Sequence, residues 1–285
     1  MSRSVPSPAP REPGRDPANR NPDPPDDEAR RASTWDARVD DRLVRMAQPL
    51  VRLLGRLHPL RFEGLEHLPR GAALLVGNHG VFGYESPFFF EHILSHAGRL
   101  PIGLADRSFF RLPLVRDALV RLGGAYGCTS NALRAFERGD LVVCYPGGAR
   151  ETLKRESDKY RCLWRERLGY VRLAMMAGVP IIPFAAAGID HTYRIIAHFR
   201  GAGRYLLGHG NYGLPVGWGV GPLPRPVPFW FRLGAPIPAP SSTGDASERE
   251  LHAKVWSRTQ AMLDALVTEW SAANEPGKPG GGRAS

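Results

Sequence analysis

The sequence predicts an α/β fold, a single domain whose central sheet is largely parallel and flanked by helices, and three features lead there. Short unbroken apolar runs, Ala72 to Val76, Leu141 to Tyr145 and Ile181 to Ala187, have the length and character of strands buried on both faces. Segments with apolar residues at helical spacing alternate with those runs, the pattern of helices packed on a parallel sheet. Neither an internal repeat nor a dividing linker interrupts the series, so one domain is expected over residues 34–272.

Residues 1–33 are rich in Pro, Arg, Asp and Ser. They cannot bury enough apolar surface to offset their ordering entropy, and a disordered arm is expected. The tail, 273–285, reads the same way. Thr34 to Leu57 places Leu43, Ala47, Leu50, Leu54 and Leu57 on one helical face and arginines on the other, an amphipathic first helix. Ala72 to Val76 is the first strand, and helical character returns from Pro87 to about Ala97. Asn131 to Arg138 is a short helix that Ser130 could cap and Gly139 would end. Leu141 to Tyr145 is a second strand, cut off by Pro146-Gly147-Gly148. From Asp158 to Ala177, Tyr160, Leu163, Trp164, Leu168, Val171 and Met175 form one stripe, with Gly178 as the stop. Ile181 to Ala187 is the third strand and Phe229 to Leu233 a fourth. Ser247-Glu248-Arg249-Glu250 reads as a capping box opening a last helix through Trp270.

The 285 residues carry a formal net charge of +10, which favours anionic partners: phospholipid headgroups, nucleic acid or phosphorylated substrates. Three cysteines without a CxxC pair argue against a disulfide framework or a zinc knuckle and for a reducing compartment. The N-terminus lacks the apolar core of a signal peptide, and no uninterrupted apolar run reaches the ~18–20 residues of a membrane span. Leu173 to Ile189 comes nearest, broken by Gly178, Pro180 and Pro183. The expectation is a cytoplasmic protein, soluble or peripherally associated with the membrane. His92 and His96 stand four apart, but without the intervening Glu of HExxH, and no metal is expected. No G-x-S-x-G elbow and no Walker loop occurs.

Candidate chemistry falls after the strands. His79 follows the first, Gly147-Gly148 the second, and Gly188-Ile189-Asp190 the third. In open α/β sheets the ligand crevice lies at the carboxyl ends of strands, so three loops should converge. A histidine with a nearby acid, His79 and Glu85, is the minimum equipment for general-base catalysis. The same pair could equally be a satisfied histidine at a strand end. The stretch YPGGARE, Tyr145 to Glu151, offers backbone N–H groups at glycines and the charged fork of Arg150 to an anion. Taken singly it is also a tight turn with a surface arginine. Phe88, Phe89 and Phe90 either wall a channel or pack a helix under the sheet, and Phe229, Trp230 and Phe231 form either a buried strand or a membrane-facing edge.

GNH with a downstream acid, YPGGARE with Lys154, KYRCLWRERLGYVRLA and GVPIIPF together resemble the glycerolipid acyltransferase superfamily. The likeness is stronger to its diacylglycerol and monoacylglycerol acyltransferase branch, including the transmembrane-protein-68-like members. It runs from about Phe62 to Ile237 and includes FEGLEHLP, ADRSFFRLPLVRD and FRLGAPI. The resemblance implies acyl transfer from acyl-CoA, or another thioester, to a hydroxyl of a glycerolipid or lipophilic alcohol, without a covalent acyl-enzyme. It implies His79 as base with Glu85 as its orienting acid. Asn78, Pro146, Gly147, Gly148, Arg150 and Glu151 would bind substrate, and Pro180 and Pro183 would border the acyl pocket. Acyl-CoA would be a co-substrate, with no cofactor and no metal. The partners implied are acyl-CoA, a lipid acceptor and an anionic membrane surface, and no nucleic acid. The family pattern is H-x4-D. Here Tyr84 holds that place and the acid follows one residue later, which a bulge permitted by Gly83 would accommodate.

Overall fold

The computed structural model describes residues 36–199, 214–221, 223–240 and 244–274. The arm over 1–33 and all but the first two residues of the 273–285 tail, both expected to be disordered, lie outside the described residues. Helix α1 (Asp41–Gly55) leads into β1 (Leu60–Glu63), β2 (Ala73–Gly77), α2 (Ser86–Ala97), β3 (Ile102–Ala105), α3 (Pro113–Arg121) and β4 (Gly124–Tyr126). Then come α4 (Thr129–Glu137), β5 (Leu141–Cys144), the single turn α5 (Ala149–Thr152), α6 (Gly169–Ala177) and β6 (Ile181–Ala187). The chain continues through β7 (Arg194–Phe199), β8 (Leu214–Trp218), β9 (Phe229–Leu233) and α7 (Asp245–Asn274).

A seven-stranded sheet in the order β1-β9-β6-β2-β5-β3-β4 forms the centre, and β7 with β8 makes a separate antiparallel ribbon. The block β6-β2-β5-β3-β4 is parallel throughout, whereas β9 runs antiparallel to β6 and parallel to β1. The expected α/β architecture with a largely parallel sheet is what the chain adopts. Both faces of the sheet are covered, so its strands read as continuous apolar runs rather than alternating ones. Leu74 and Val76 of β2 face α4, α6 and α7, packing with Ala135, Val171 and Leu263. Ala73 and Leu75 face the other way, toward Phe88, Phe89 and Ile93 of α2.

The aromatic runs resolve as packing. Phe89 stacks on Phe184 with centroids 4.5 Å apart, and Phe229 and Phe231 are buried. Trp230, half-buried, lies under the Arg61 guanidinium at 4.4 Å. His92 and His96 stack on one another at 3.9 Å, and burial first, then the neighbouring His96, pushes His92 down to about 4. Among the described residues no cluster of His, Cys, Asp or Glu is placed to hold a metal ion.

Several boundaries differ from the sequence expectation for local reasons. The first helix begins at Asp41, not Thr34, because the Asp40 carboxylate accepts from the N–H groups of Arg42 and Leu43 at 3.1 Å each. The expected helix 158–177 is regular only over Gly169–Ala177. Upstream, Tyr160 (φ 56°) and Arg165 (φ 50°) are left-handed, and the N–H groups of Tyr160 and Leu163 donate to buried carboxylates instead of helical carbonyls. Ser130 lies inside α4, whose cap position is Cys128. Ser247 lies inside α7, which already begins at Asp245, so it cannot cap the helix or open a capping box with Glu250. The short strands β1 (LRFE), β3 (IGLA) and β4 (GAY) contain charged residues or glycine and so carry no uninterrupted apolar run.

Candidate active site

The three loops that follow β2, β5 and β6 meet at the carboxyl end of the parallel block. Asn78, buried, sends Nδ2 to the Ala186 carbonyl (3.0 Å) and accepts the Ala186 N–H on Oδ1 (2.8 Å). Its amide thus prolongs the β2–β6 ladder by one rung, and both ends are spent on backbone. Asn78 anchors the loop, with one N–H and one lone pair of its amide committed to backbone.

His79 comes next. Its Nδ1–H donates to Glu85 Oε1 at 2.5 Å, and Glu85 also accepts the Gly80 N–H at 3.1 Å. The spacing of six is absorbed by a turn over Val81–Gly83, in which Phe82 (φ 63°) and Gly83 (φ 68°) are consecutive left-handed residues. A Cβ on Gly83 would stand 2.8 Å from His79 Cε1, so this glycine is required by both conformation and contact. Tyr84, at the position where the family places its acid, turns away. Its hydroxyl meets His58 Nε2 at 3.1 Å, and His58 Nδ1 lies 2.9 Å from the Val227 carbonyl. Burial raises the Glu85 carboxyl, but the His79 charge and its hydrogen bonds outweigh that and hold it below the usual range.

The His79 ring lies flat on Tyr145, centroids 3.7 Å apart, and is 14% exposed. Tyr145, whose hydroxyl is 3.2 Å from Ser86 Oγ, was not singled out beforehand. Burial, and then the Glu85 charge, push its phenol well above the ordinary range, so it stays neutral. Pro146 and Gly147 follow, both buried, with their carbonyls held by Arg167 Nη1 at 3.0 and 3.2 Å. Arg167 is a second residue that spacing alone did not reveal. Gly148 takes φ 49°, ψ −133°, and its N–H donates to the Tyr145 carbonyl at 2.9 Å. Arg150, half-buried in α5, follows, and α5 packs on the Val81–Gly83 turn beside His79.

Glu151 is fully buried and does not present itself to solvent. Its Oε2 accepts the His79 backbone N–H at 2.7 Å and its Oε1 the Leu163 N–H at 2.8 Å. One carboxylate therefore ties the glycine loop to the histidine loop. Burial pushes it up to about 6, less the pull of Lys154. Lys154, also buried, pairs with Asp190 at 2.9 Å, and Asp190 accepts the Tyr160 N–H at 2.9 Å. Burial lowers the Lys154 ammonium, but Asp190 and Glu151 more than reverse this. Of the prolines of GVPIIPF, Pro180 is half-buried and its carbonyl receives the Leu74 N–H, while Pro183 is buried within β6.

A glutamine at position 151 can accept only one of the two N–H groups. Glu151→Gln is expected to cost about 1–3 kcal/mol for the donor left unsatisfied. The pH dependence has a definite sign. With the folded value near 6 and the ordinary value 4.5, the folded state holds this proton more tightly between those limits, and the wild type loses stability from this group as pH rises through them. The glutamine variant lacks that slope. Urea unfolding at pH 5 and pH 7 should show the gap between the two proteins narrowing at the higher pH.

The α/β domain thus holds a carboxylate-bound histidine at a strand end, beside the loop that carries Gly147, Gly148 and Arg150. Residues 59–187 match the family model described as Acyltransferase. "DGAT1/2-independent enzyme synthesizing storage lipids" of Gallus gallus is 30% identical over 217 residues, covering 74% of this chain and 60% of that protein. Its Homo sapiens counterpart is 30% identical over 212 residues, covering 73% and 61%. An uncharacterized protein of Mycobacterium tuberculosis is 29% identical over 204 residues, covering 67% and 56%. The chain thus spans about 60% of the length of the first of these relatives. The crystal structure of the 1-acyl-sn-glycerophosphate acyltransferase PlsC of Thermotoga maritima superposes with TM-score 0.49 at 16% identity, covering 85% of this chain and 84% of that one. These similarities are to acyltransferases, and they support a place in the glycerolipid acyltransferase superfamily. Among the described residues, no helix is long and apolar enough to cross a membrane.

Proposed function

We propose that the chain transfers a fatty acyl group from acyl-CoA, or another acyl thioester, to the hydroxyl of a glycerolipid or lipophilic alcohol, with His79 as general base. The observation that carries this reading is the commitment of Nδ1 to Glu85, which fixes the tautomer. Nε2 is then the basic nitrogen, on a partly exposed ring that meets no hydrogen-bond donor among the described residues. Nε2 takes the acceptor's hydroxyl proton as its oxygen attacks the thioester carbonyl. Collapse of the tetrahedral species breaks the C–S bond, and the imidazolium returns the proton to the departing thiolate. No acyl-enzyme is formed. The developing oxyanion needs a donor. Since the Gly148 N–H is already spent on Tyr145, Arg150 is the charged group on this loop for that anion or for a phosphate of the donor. Asn78, Glu151 and Pro146 support the loops from beneath.

The setting proposed is peripheral association with an anionic membrane surface on the cytoplasmic side. Helix α1 and the turn after it leave Met46, Leu50, Leu53, Leu54 and Leu57 exposed beside Arg42, Arg45 and Arg56, with Arg52 paired to Glu91, a distribution suited to lipid headgroups. The test is incubation of purified protein with radiolabelled acyl-CoA and a lipid extract, followed by identification of the labelled product. Labelled ester formed only when a lipid alcohol is present supports transfer. Free fatty acid released at the same rate without lipid identifies a thioester hydrolase instead.

A further inference from the structure

The ribbon β7–β8 stands outside the main sheet, leaves the carboxyl end of β6, and is fastened to the site. Glu156 Oε2 accepts the Ile195 N–H at 2.8 Å, Lys159 Nζ donates to the Tyr193 carbonyl at 3.1 Å, and the Arg225 N–H donates to the Thr192 carbonyl at 2.8 Å. The Tyr193 ring meets Phe82, the left-handed residue of the His79–Glu85 turn, edge to face at 5.6 Å. A two-stranded ribbon has little cohesion of its own in water and gains stability from what covers its faces. Here Ile196, Phe199, Trp218 on the ribbon, and Val220 and Leu223 just after it, are each 53–65% exposed. Large apolar side chains clustered in this way mark a surface that meets something.

Charge indicates what. Among the described residues from His191 to Gly244 there is no Asp or Glu, while Arg194, Arg225 and Arg232 fall there. Arg232 is neutralised by Glu63 and Glu269, but Arg194 is exposed on β7 and forms no ion pair among the described residues. An acid-free basic segment bearing an exposed tryptophan and several aliphatic side chains suits a boundary where anionic headgroups adjoin acyl chains. We infer that the β7–β8 ribbon docks on an anionic phospholipid surface, inserting Ile196, Phe199, Trp218, Val220 and Leu223, and so brings the His79–Glu85 turn, through the Phe82–Tyr193 contact, up to the lipid phase. This rests on the acyl-transfer reading for its purpose, since a lipophilic acceptor must leave a bilayer to reach His79. A second copy of the chain would satisfy the apolar residues but would bring two acid-free basic segments together.

The test uses the full-length protein and co-sedimentation with phosphatidylcholine vesicles with or without phosphatidylglycerol. Wild type should bind the anionic vesicles, and F199S/W218S/L223S should lower the partition coefficient about tenfold or more. L50S/L54S in α1 serves as the comparison, and the three single variants are read individually if the triple variant fails to fold. Thioester turnover with a short, water-soluble alcohol should be unchanged in F199S/W218S/L223S. Wild type that ignores anionic vesicles, ribbon variants that bind as wild type does, or variants whose sole change is from dimer to monomer on size exclusion would each overturn the inference. If no transfer is detected but vesicle binding follows the ribbon, the acyl-transfer reading fails while the docking surface stands. If transfer is intact and binding indifferent to the ribbon, the reverse holds.

Discussion

Replacing His79 with alanine should leave a folded protein whose acyl-transfer rate has fallen about 10²–10⁴-fold, the usual contribution of a positioned general base. The fold should survive because the backbone N–H of residue 79, not its ring, is bound by Glu151, and because the ring covers one face of Tyr145 at the surface of the site rather than filling the core. One complication can be separated in advance. Without the imidazole, Glu85 becomes a buried carboxylate held only by backbone N–H groups, that of Gly80 and its own, and the variant will lose stability for that reason alone. In the double variant His79→Ala/Glu85→Gln the stranded charge is gone. Its unfolding midpoint should recover toward wild type while its turnover stays as low as that of the single variant. Turnover within a few-fold of wild type in either protein, measured with labelled thioester and lipid, would remove His79 from the chemistry. Glu85→Gln alone should occupy the middle ground, keeping the base but loosening the hold on its tautomer.

The chemistry-bearing segments were easier to read than the framework that holds them. His79, the diglycine and Asp190 each follow an uninterrupted apolar run, and such runs are legible because a strand buried on both faces has no polar alternation to obscure it. Gly83 signals the left-handed position that brings Glu85 to His79, though its partner in the turn, Phe82, gives no such sign. The supporting roles were not legible because they depend on contacts made across long stretches of sequence. Glu151 looked like one more polar member of YPGGARE, yet its carboxylate serves the backbone of residues 72 positions before it and 12 after. Tyr145 and Arg167 carry no local signature of a ring support or a carbonyl clamp. The segment from Asp158 to Leu168 has helical spacing, and the structure overrides that spacing because Glu151 and Asp190 capture its N–H groups. Buried side-chain acceptors supplied by other loops prevailed over local periodicity.

Lys154 should be the most sensitive residue to substitution outside the reacting groups. It is buried, bonded to Asp190 at 2.9 Å, and it is the cation that offsets both Asp190 and Glu151 within the site. Lys154→Met preserves much of the volume but strands Asp190, and removing one partner of a buried pair typically costs about 3–5 kcal/mol. Replacing both charges by shape-matched neutral groups should cost much less. Lys154→Met/Asp190→Asn keeps an oxygen for the Tyr160 N–H and should regain more than half of the lost stability in urea unfolding. The same substitution has an electrostatic consequence at the next carboxylate. Glu151, without the positive charge that lowers it most, should move above its present value of about 6, and the proton it then holds at neutral pH would weaken its grip on the His79 and Leu163 amides. Lys154→Met should therefore shift the pH dependence of turnover to higher pH even at denaturant-free temperatures where the protein is fully folded. A Lys154→Met protein as stable as wild type, with an unmoved pH profile, would show that the buried ion pair neither supports the fold nor tensions the loop that carries the base.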